Sequence, residues 1–231
     1  AKFVIMQLEG FEKKDDNGSA VMLNPFHREE EVELLVMDRW VLVSYNRMLA
    51  RFEKYLEKYE IGLALGELEK FFWSFCDDYI EIIKNRVYKP EIYGENARRS
   101  GLYASYHTLL GMLKCFAIYI PHVTEEIYQG YFAGQEETVS IHRSLIGPVP
   151  VTSETADQDF EIGETAVKII SELRKYKSEH NLSLKEEMET VSVQLEKEID
   201  LRDAAEDIKA TCSCRKMTLH AGGTFRVTVT S

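Results

Sequence analysis

Residues 38–88 read DRWVLVSYNRMLARFEKYLEKYEIGLALGELEKFFWSFCDDYIEIIKNRVY. Apolar side chains recur three and four positions apart in two runs within this stretch. The first run comprises Leu42, Tyr45, Leu49, Phe52 and Leu56, and the second comprises Ile61, Leu65, Leu68, Phe72, Phe75, Tyr79 and Ile82. This spacing places each run on one face of an α-helix. The pattern breaks only around residues 59–62, where the second run begins, so the connection is short. We therefore expect an antiparallel hairpin at the centre of a helical bundle.

The flanking segments extend this bundle. We predict a helix over residues 2–12, a loop over 13–25, and hairpin helices from near Arg28 to about Lys58 and from 62 to 87. A third helix should begin near Gly94, and Pro121 should end or kink it because proline lacks an amide proton. A short helix should follow from His122. Residues 133–153, which contain Gly134, Gly147, Pro148 and Pro150, should connect to the next unit.

The last part of the chain has a different pattern. A helical pattern runs from Phe160 to about His180, and residues 203–209 predict a short helix. Val191, Val193 and Leu195 alternate with polar residues, as do Met217 and Leu219, and then Phe225, Val227 and Val229. Alternation is typical of half-buried strands. We therefore predict a bundle over residues 1–150 and a small α+β unit with about three strands over 154–231, in which Gly222-Gly223 turns a hairpin.

Composition limits the possible functions. The 231 residues are 45% hydrophobic, which suffices for a sizeable core, and the net charge is −11. Nucleic-acid-binding domains are usually basic, so RNA binding here would need a local positive surface. No apolar run is long enough to span a membrane, and no signal peptide is evident. Because the chain starts without Met inside an apolar pattern, we expect a piece of a longer protein.

We find no sequence pattern of a catalytic or metal site. The six histidines are scattered, and neither a phosphate-binding glycine loop nor a nucleophile motif occurs. Asp77, Asp78 and Glu81 lie along one predicted helix, where a solvated face or an ion pair to Lys84 is expected. Cys76 and Cys115 fit the core. Cys212 and Cys214 form one C-x-C without a second ligand pair, which favours free thiols and a cytosolic protein.

Several sequence segments resemble the anticodon-binding region of valyl-tRNA synthetases. They are DRW (38–40), FCDDY (75–79), IPHVTEEIY (120–128), SIH (140–142) and LRKYKSEHNLSL (173–184), and the last is similar to the archaeal-type branch. The resemblance covers nearly the whole chain in the same order. The SIH segment departs from the family pattern, since the tryptophan that follows it there is missing. The HIGH and KMSKS signatures of the class I catalytic domain are absent, as is the inserted editing domain.

This resemblance implies that the chain is the tRNA-facing part of a valine–tRNA ligase. It implies tRNA(Val) as partner, covalently linked catalytic and editing domains, a monomeric cytoplasmic enzyme, and no membrane contact. It implies no cofactor in this part, with ATP and Mg used by the catalytic domain. From charge and placement alone, our candidate RNA contacts are Arg39, Arg47, Lys84, Arg98 and Arg99, followed by Arg174, Lys175 and Lys177. Trp40 and Trp73 are expected in the core.

The sequence leaves three alternatives open. DRW and TEEI also occur in isoleucyl- and leucyl-tRNA synthetases, so the chain could belong to a related ligase. An acidic helical bundle could instead be a protein–protein scaffold without an RNA role. A standalone enzyme is the third alternative, although no nucleophile–base or metal set supports it.

Overall fold

A computed structural model describes residues 2–9, 13–14, 20–21, 32–136, 138–151 and 153–230. The element order is α1 (Lys2–Glu9), β1 (Lys13–Lys14), β2 (Ala20–Val21), α2 (Val36–Glu57), α3 (Ile61–Ser74), a π-helical turn (Phe75–Tyr79), α4 (Ile80–Tyr88), α5 (Pro90–Tyr93), α6 (Glu95–Phe116), α7 (Pro121–Tyr131), α8 (Ala156–Glu179), β3 (Met188–Leu195), α9 (Arg202–Cys212), β4 (Cys214–Ala221) and β5 (Arg226–Thr230). Short 3-10 turns occupy Ile141–Arg143 and Ser153–Thr155. The predicted class, a helical bundle followed by a small α+β unit, is confirmed.

The predicted hairpin is present as α2 and α3, which pack against each other. The first helix begins later than predicted, at Val36, because the backbone at Leu35 is extended and its N–H donates to the Ser100 hydroxyl at 2.8 Å. The predicted start near Arg28 lies outside the described residues. Residues 13–14 and 20–21, expected in a loop, form an antiparallel strand pair.

The second helix of the hairpin continues through a π-helical turn into α4. Buried positions on α3 are Ala64, Leu68 and Phe71, whereas α4 buries two adjacent residues on successive turns, Ile82 with Ile83 and Arg86 with Val87. A π turn inserts one residue into an α-helix and is often found at functional sites.

The most deeply buried helix is α6, which was not expected to lie at the centre of the bundle. It contacts α1, α2, α3, α4 and α7, and two glycines permit the closest of these approaches. A Cβ at Gly111 would lie 2.5 Å from Tyr45 Cζ, and one at Gly101 would lie 3.0 Å from Arg86 Nη1. After α6 ends at Phe116, Pro121 opens α7 at a first-turn position where its missing amide proton costs nothing.

The C-terminal sheet has the order β4-β3-β5, with β4 parallel and β5 antiparallel to β3. Three strands were predicted, but the predicted hairpin is wrong, because β4 and β5 both pair with β3. The loop between them crosses the end of β3, where the N–H groups of Gly222 and Gly223 donate to Leu195 O at 3.0 and 3.3 Å. Helices α8 and α9 contact β5 and β4, respectively.

Helix α8 also packs along α2, and α9 packs against α4. The proposed division between residues 150 and 154 therefore stays a prediction. Among the described residues, no helix combines the length and apolar content needed to cross a membrane.

Candidate nucleic-acid interface

Asp38, the first residue of the DRW segment, is the centre of a buried polar network. Its carboxylate is fully buried and accepts two hydrogen bonds from Arg86, at 2.8 and 2.7 Å. The Tyr79 hydroxyl donates to it at 2.7 Å, and the Ser100 hydroxyl donates to it as well. Burial and the adjacent Asp38 charge raise the pKa of Tyr79 well above its usual value, so it stays a donor. The network joins α2, the π turn, α4 and α6.

Arg86 extends this network to α9. Its Nε lies 3.1 Å from Asp207 Oδ1, and its Nη1 donates to Ala97 O at 2.7 Å. Burial raises the pKa of Asp207 to about 6, although Arg86 opposes the shift. Arg86 is therefore not an exposed cation at the end of α4, because its side chain is 2% exposed.

Two of the candidate RNA contacts join α2 to α8 instead of facing solvent freely. Arg39 binds both oxygens of the buried Asp159, at 2.9 and 2.8 Å, and this hydrogen bonding raises the pKa of Arg39. Arg47 lies 2.5 Å from Asp157, and its guanidinium carbon is 3.7 Å from the Phe160 ring centroid. Both arginines thus have intramolecular partners on α8.

Trp40 completes the contact of the DRW segment with α8. Its indole N–H donates to Glu164 at 3.1 Å, and it is buried as predicted. A Cβ at Gly163 would lie 2.0 Å from Trp40 Cγ, so only glycine permits this approach of the two helices.

Lys177 is buried, and its ammonium group has no donor left for a phosphate. It donates to Leu184 O at 2.8 Å, Glu186 O at 2.5 Å and Cys212 O at 2.8 Å. Burial lowers its pKa. The lysine fastens the end of α8 to the segment before β3 and to the end of α9, so we remove it from the candidate contacts.

The other candidates are more accessible. Lys84 pairs with Glu81 at 3.2 Å, as the sequence predicted, and Arg98 lies 3.9 Å from Glu95. Arg174 donates to Asp77 O at 3.2 Å. Arg99 and Lys175 form no ion pair within the part of the chain that the structure describes.

Trp73 is 60% exposed, so its predicted place in the core is wrong. It lies on α3 just before the π turn, with its ring centroid 5.3 Å from that of Phe72. Asp77 follows one turn later, and its carbonyl accepts the bond from Arg174. Lys70, on the preceding turn, is also exposed. We call Lys70, Trp73 and Arg174 the tryptophan surface. Three consecutive aromatic residues at 71–73 were a signal for it, since one helix face cannot bury all three.

Two segments that carried the family resemblance contact each other. Glu125, from IPHVTEEIY, accepts hydrogen bonds from the Ser140 hydroxyl and the Ile141 N–H, both at 3.0 Å, and lies 3.8 Å from His142 Nε2. A hydrogen bond from Gln129, together with those from Ser140 and Ile141, lowers the pKa of Glu125. Glu125 therefore anchors the connection after α7, and the motif has a structural role.

The described residues contain no group of three or more His, Cys, Asp or Glu side chains that could hold a metal ion. The four cysteines are free thiols, and burial raises the pKa of Cys212 to about 12. The bundle exposes Lys70, Trp73 and Lys84 among acidic side chains such as Glu69, Asp77 and Glu81. Cationic and aromatic groups of this kind can contact phosphates and unstacked bases.

Comparison with known proteins defines the class. The sequence matches the family described as the anticodon-binding domain of tRNA ligase over residues 38–195, and the chain belongs to that family. The match begins at Asp38 and ends with β3.

Individual relatives include several valine–tRNA ligases. The chain is 32% identical to the enzyme of Pyrococcus abyssi over 200 residues, which is 85% of this chain and 22% of that protein. It is 36% identical to that of Haloarcula marismortui over 173 residues, 74% of this chain and 18% of the relative. It is 30% identical to that of Rickettsia felis over 225 residues, 96% of this chain and 25% of the relative. The chain thus spans about a fifth to a quarter of the relatives it matches.

Proposed function

We propose that this chain binds the anticodon stem-loop of valine tRNA as part of a valine–tRNA ligase. The single observation that carries the proposal is the family match over residues 38–195, which is joined by similarity to valine–tRNA ligases from three organisms. Binding the anticodon end would hold the acceptor end over a distant active site. The contribution of this chain is then discrimination between tRNAs and not chemistry.

The tryptophan surface is our candidate for base contact. An exposed indole gives an unstacked base a platform. Arg174, which donates to the Asp77 carbonyl one turn further along the helix, would add a planar cation. Lys84, Arg98, Arg99 and Lys175 are the candidates for phosphate contacts, which position the RNA without reading its sequence. Arg39 and Arg47 are weaker candidates, because each would have to share its guanidinium with a carboxylate on α8.

We infer the remaining properties from the parent ligase. ATP and Mg would act in a covalently linked catalytic domain, and proofreading would take place in an editing domain. The enzyme would be a cytoplasmic monomer, and this chain would hold no cofactor.

The test is binding of a valine tRNA transcript to this chain at low and moderate salt, beside the same transcript with its anticodon replaced. We expect affinity to fall steeply with salt, because phosphate contacts release counterions, and to fall again with the replaced anticodon. Equal affinity for both transcripts would contradict anticodon reading. Absence of binding at low salt would contradict the proposal as a whole.

A further inference from the structure

The outer face of the C-terminal sheet carries a coherent set of polar side chains. Strand register places them in rows: Lys216 beside Thr190, then Thr218, Ser192 and Thr228, then His220, Gln194 and Arg226. The alternate residues Val191 and Val193 are fully buried beneath α8 and α9. These eight polar side chains therefore lie on the side of the sheet that the helices do not cover.

This face lacks carboxylates, although the chain has 39 acidic residues against 28 Lys and Arg. Lys216, His220 and Arg226 are exposed. Among the described residues, neither Lys216 nor Arg226 takes part in an ion pair. By contrast, Arg215 on the same strand binds both Glu187 and Glu189. The sheet face is thus a locally positive surface on an acidic protein.

A hollow of about 430 Å³ lies at one end of this face. Ser192, Gln194 and Thr228 line it together with Arg226 and the loop 222–224. The loop closes the hollow by crossing the end of β3. A Cβ at Gly223 would lie 3.1 Å from Gln194 Cγ, so the glycine backbone rests against that side chain. The lining offers hydroxyl, amide and guanidinium donors.

We propose that this outer face is a second RNA contact, which holds the sugar–phosphate backbone of the tRNA away from the bundle. It rests on the proposed function for the identity of the RNA. Positive charge without carboxylates complements phosphate, and hydroxyl and amide groups can bond to ribose. No exposed large apolar side chain lies on the face, which disfavours a protein partner. Its rows contain no Phe, Tyr or Trp, so we assign the face to the RNA backbone and not to base reading.

The spacing of the charges suits an extended ligand. Lys216 and His220 are four residues apart on β4, a separation of about 13 Å at roughly 3.3 Å per residue. Arg226 faces His220 across β3, about 10 Å away for strands spaced by roughly 4.8 Å. The three groups therefore span a patch wider than a single phosphate, as contact with several successive nucleotides requires.

The first test is a matched pair at Thr228, which is exposed on the edge strand β5. Thr228→Glu places a carboxylate in the middle row of the face, whereas Thr228→Gln has the same shape without charge. At low salt we expect Thr228→Glu to weaken binding of the valine tRNA transcript roughly tenfold, and Thr228→Gln to stay within about twofold of the parent chain.

The second test removes cations. In Lys216→Gln/Arg226→Gln, the slope of log affinity against log salt should become shallower by roughly 1.4, since each phosphate contact contributes about 0.7 for single strands. The control, Lys197→Gln/Arg202→Gln, removes two exposed cations that pair with Glu161 and Asp200. It should keep the parent slope. Circular dichroism of each variant verifies its fold.

The outcomes separate the two proposals. If the sheet contacts the RNA backbone, Thr228→Glu should weaken the binding of valine tRNA and of the anticodon-replaced transcript by the same factor. If the parent chain does not distinguish the transcripts but Thr228→Glu still weakens both, anticodon reading fails and the sheet contact stands. The sheet contact is overturned if Thr228→Glu and Thr228→Gln bind the tRNA with the same affinity, and if the salt slope of Lys216→Gln/Arg226→Gln equals that of its control. Absence of any tRNA binding overturns both.

Discussion

Asp38 and Arg86 lie 48 positions apart in sequence and form a two-bonded ion pair at the point where α2, α4, α6 and α9 meet. Neither side chain reaches solvent, with 0% and 2% exposure. A buried pair of this kind adds little stability over a well-packed apolar pair, but it demands one arrangement of its partners. The pair thus fixes how the helices of the bundle meet the C-terminal helix.

Replacing Arg86 with Met should destabilise the protein strongly. The carboxylates of Asp38 and Asp207 would stay buried without their cation, and we expect the free energy of unfolding to fall by about 3–5 kcal/mol. Urea unfolding followed by circular dichroism measures the change. The control is Lys84→Met, which removes an exposed pair on the same helix and should cost less than about 1 kcal/mol. Similar small losses for both variants would refute the role of Arg86.

The raised pKa of Asp207 predicts a pH dependence. Asp207 titrates at about 6 in the folded chain, whereas an unfolded Asp titrates near 3.9. Between these two pKa values the Asp207 carboxyl binds more protons in the folded state than in the unfolded state. Its contribution to the free energy of unfolding therefore falls as pH rises. Asp207→Asn cannot ionise. The unfolding free energy of the parent minus that of the variant should therefore decrease from pH 4 to above pH 6, by up to about 3 kcal/mol. A difference that stays constant or grows over this range would contradict the shift.

Gly163→Ala should separate α8 from α2. The added Cβ would overlap the Trp40 ring, and we expect a loss of roughly 2–4 kcal/mol in unfolding free energy, as for other overpacked cores. Gly130→Ala is the matched control, because Gly130 also lies in a helix but has open space around it. Alanine there should stabilise the protein by up to about 1 kcal/mol. Thermal unfolding of the two variants should shift in opposite directions.

Trp73→Ala tests the tryptophan surface. Loss of a stacking platform should weaken binding of the valine tRNA transcript roughly 5- to 100-fold, with stability changed by less than about 1 kcal/mol. Trp73→Phe should recover most of the affinity, and Tyr88→Ala, which removes another exposed aromatic ring, should leave it unchanged. If Trp73→Ala binds as the parent chain does, the base contact lies elsewhere.

Substitutions of Arg39 and Lys175 should distinguish a cation that stabilises the fold from one that contacts RNA. Arg39→Gln breaks the bond to buried Asp159 and should lower the unfolding free energy by about 1.5–3 kcal/mol, with the salt slope of RNA binding preserved. Lys175→Gln should leave stability within about 0.5 kcal/mol and reduce the slope by roughly 0.7. Both quantities are measured on each variant, and the reverse assignment would overturn our choice of contacts.

Local patterns predicted much of the fold. The spacing of Leu42, Leu49 and Phe52 predicted the buried face of α2, and the alternation of Val191 and Val193 predicted the inner face of β3. Such signals are short-range, because side chains three or four apart on a helix, or two apart on a strand, share a face. Pairing between distant strands has no comparable signal. The position of β3 between β4 and β5 could therefore not be read from Gly222-Gly223.

The candidate site was less predictable than the fold. Arg39, Arg47 and Lys177 look like solvated cations in sequence, since each lies beside an apolar stripe. Their partners are Asp159, Asp157 and three carbonyl groups that are local only in space. Conversely, Trp73 looks like a core residue because aromatic residues usually are. Whether Arg39 and Arg47 already have carboxylate partners depends on how α8 packs against α2. Neither helix alone reveals this packing in its sequence.

The helix formed by α3, the π turn at residues 75–79 and α4 is continuous, and the π turn determines which way α4 faces. Each residue of an α-helix advances the side-chain direction by about 100°, so one inserted residue rotates everything beyond it by that angle. Before the turn the helix faces α2, and beyond it the helix faces α6 and α9. A regular helix of the same length would aim Arg86 away from Asp38. The inserted residue therefore gives α4 an angular offset relative to α3. Because of this offset, one continuous helix packs against two different sets of neighbours.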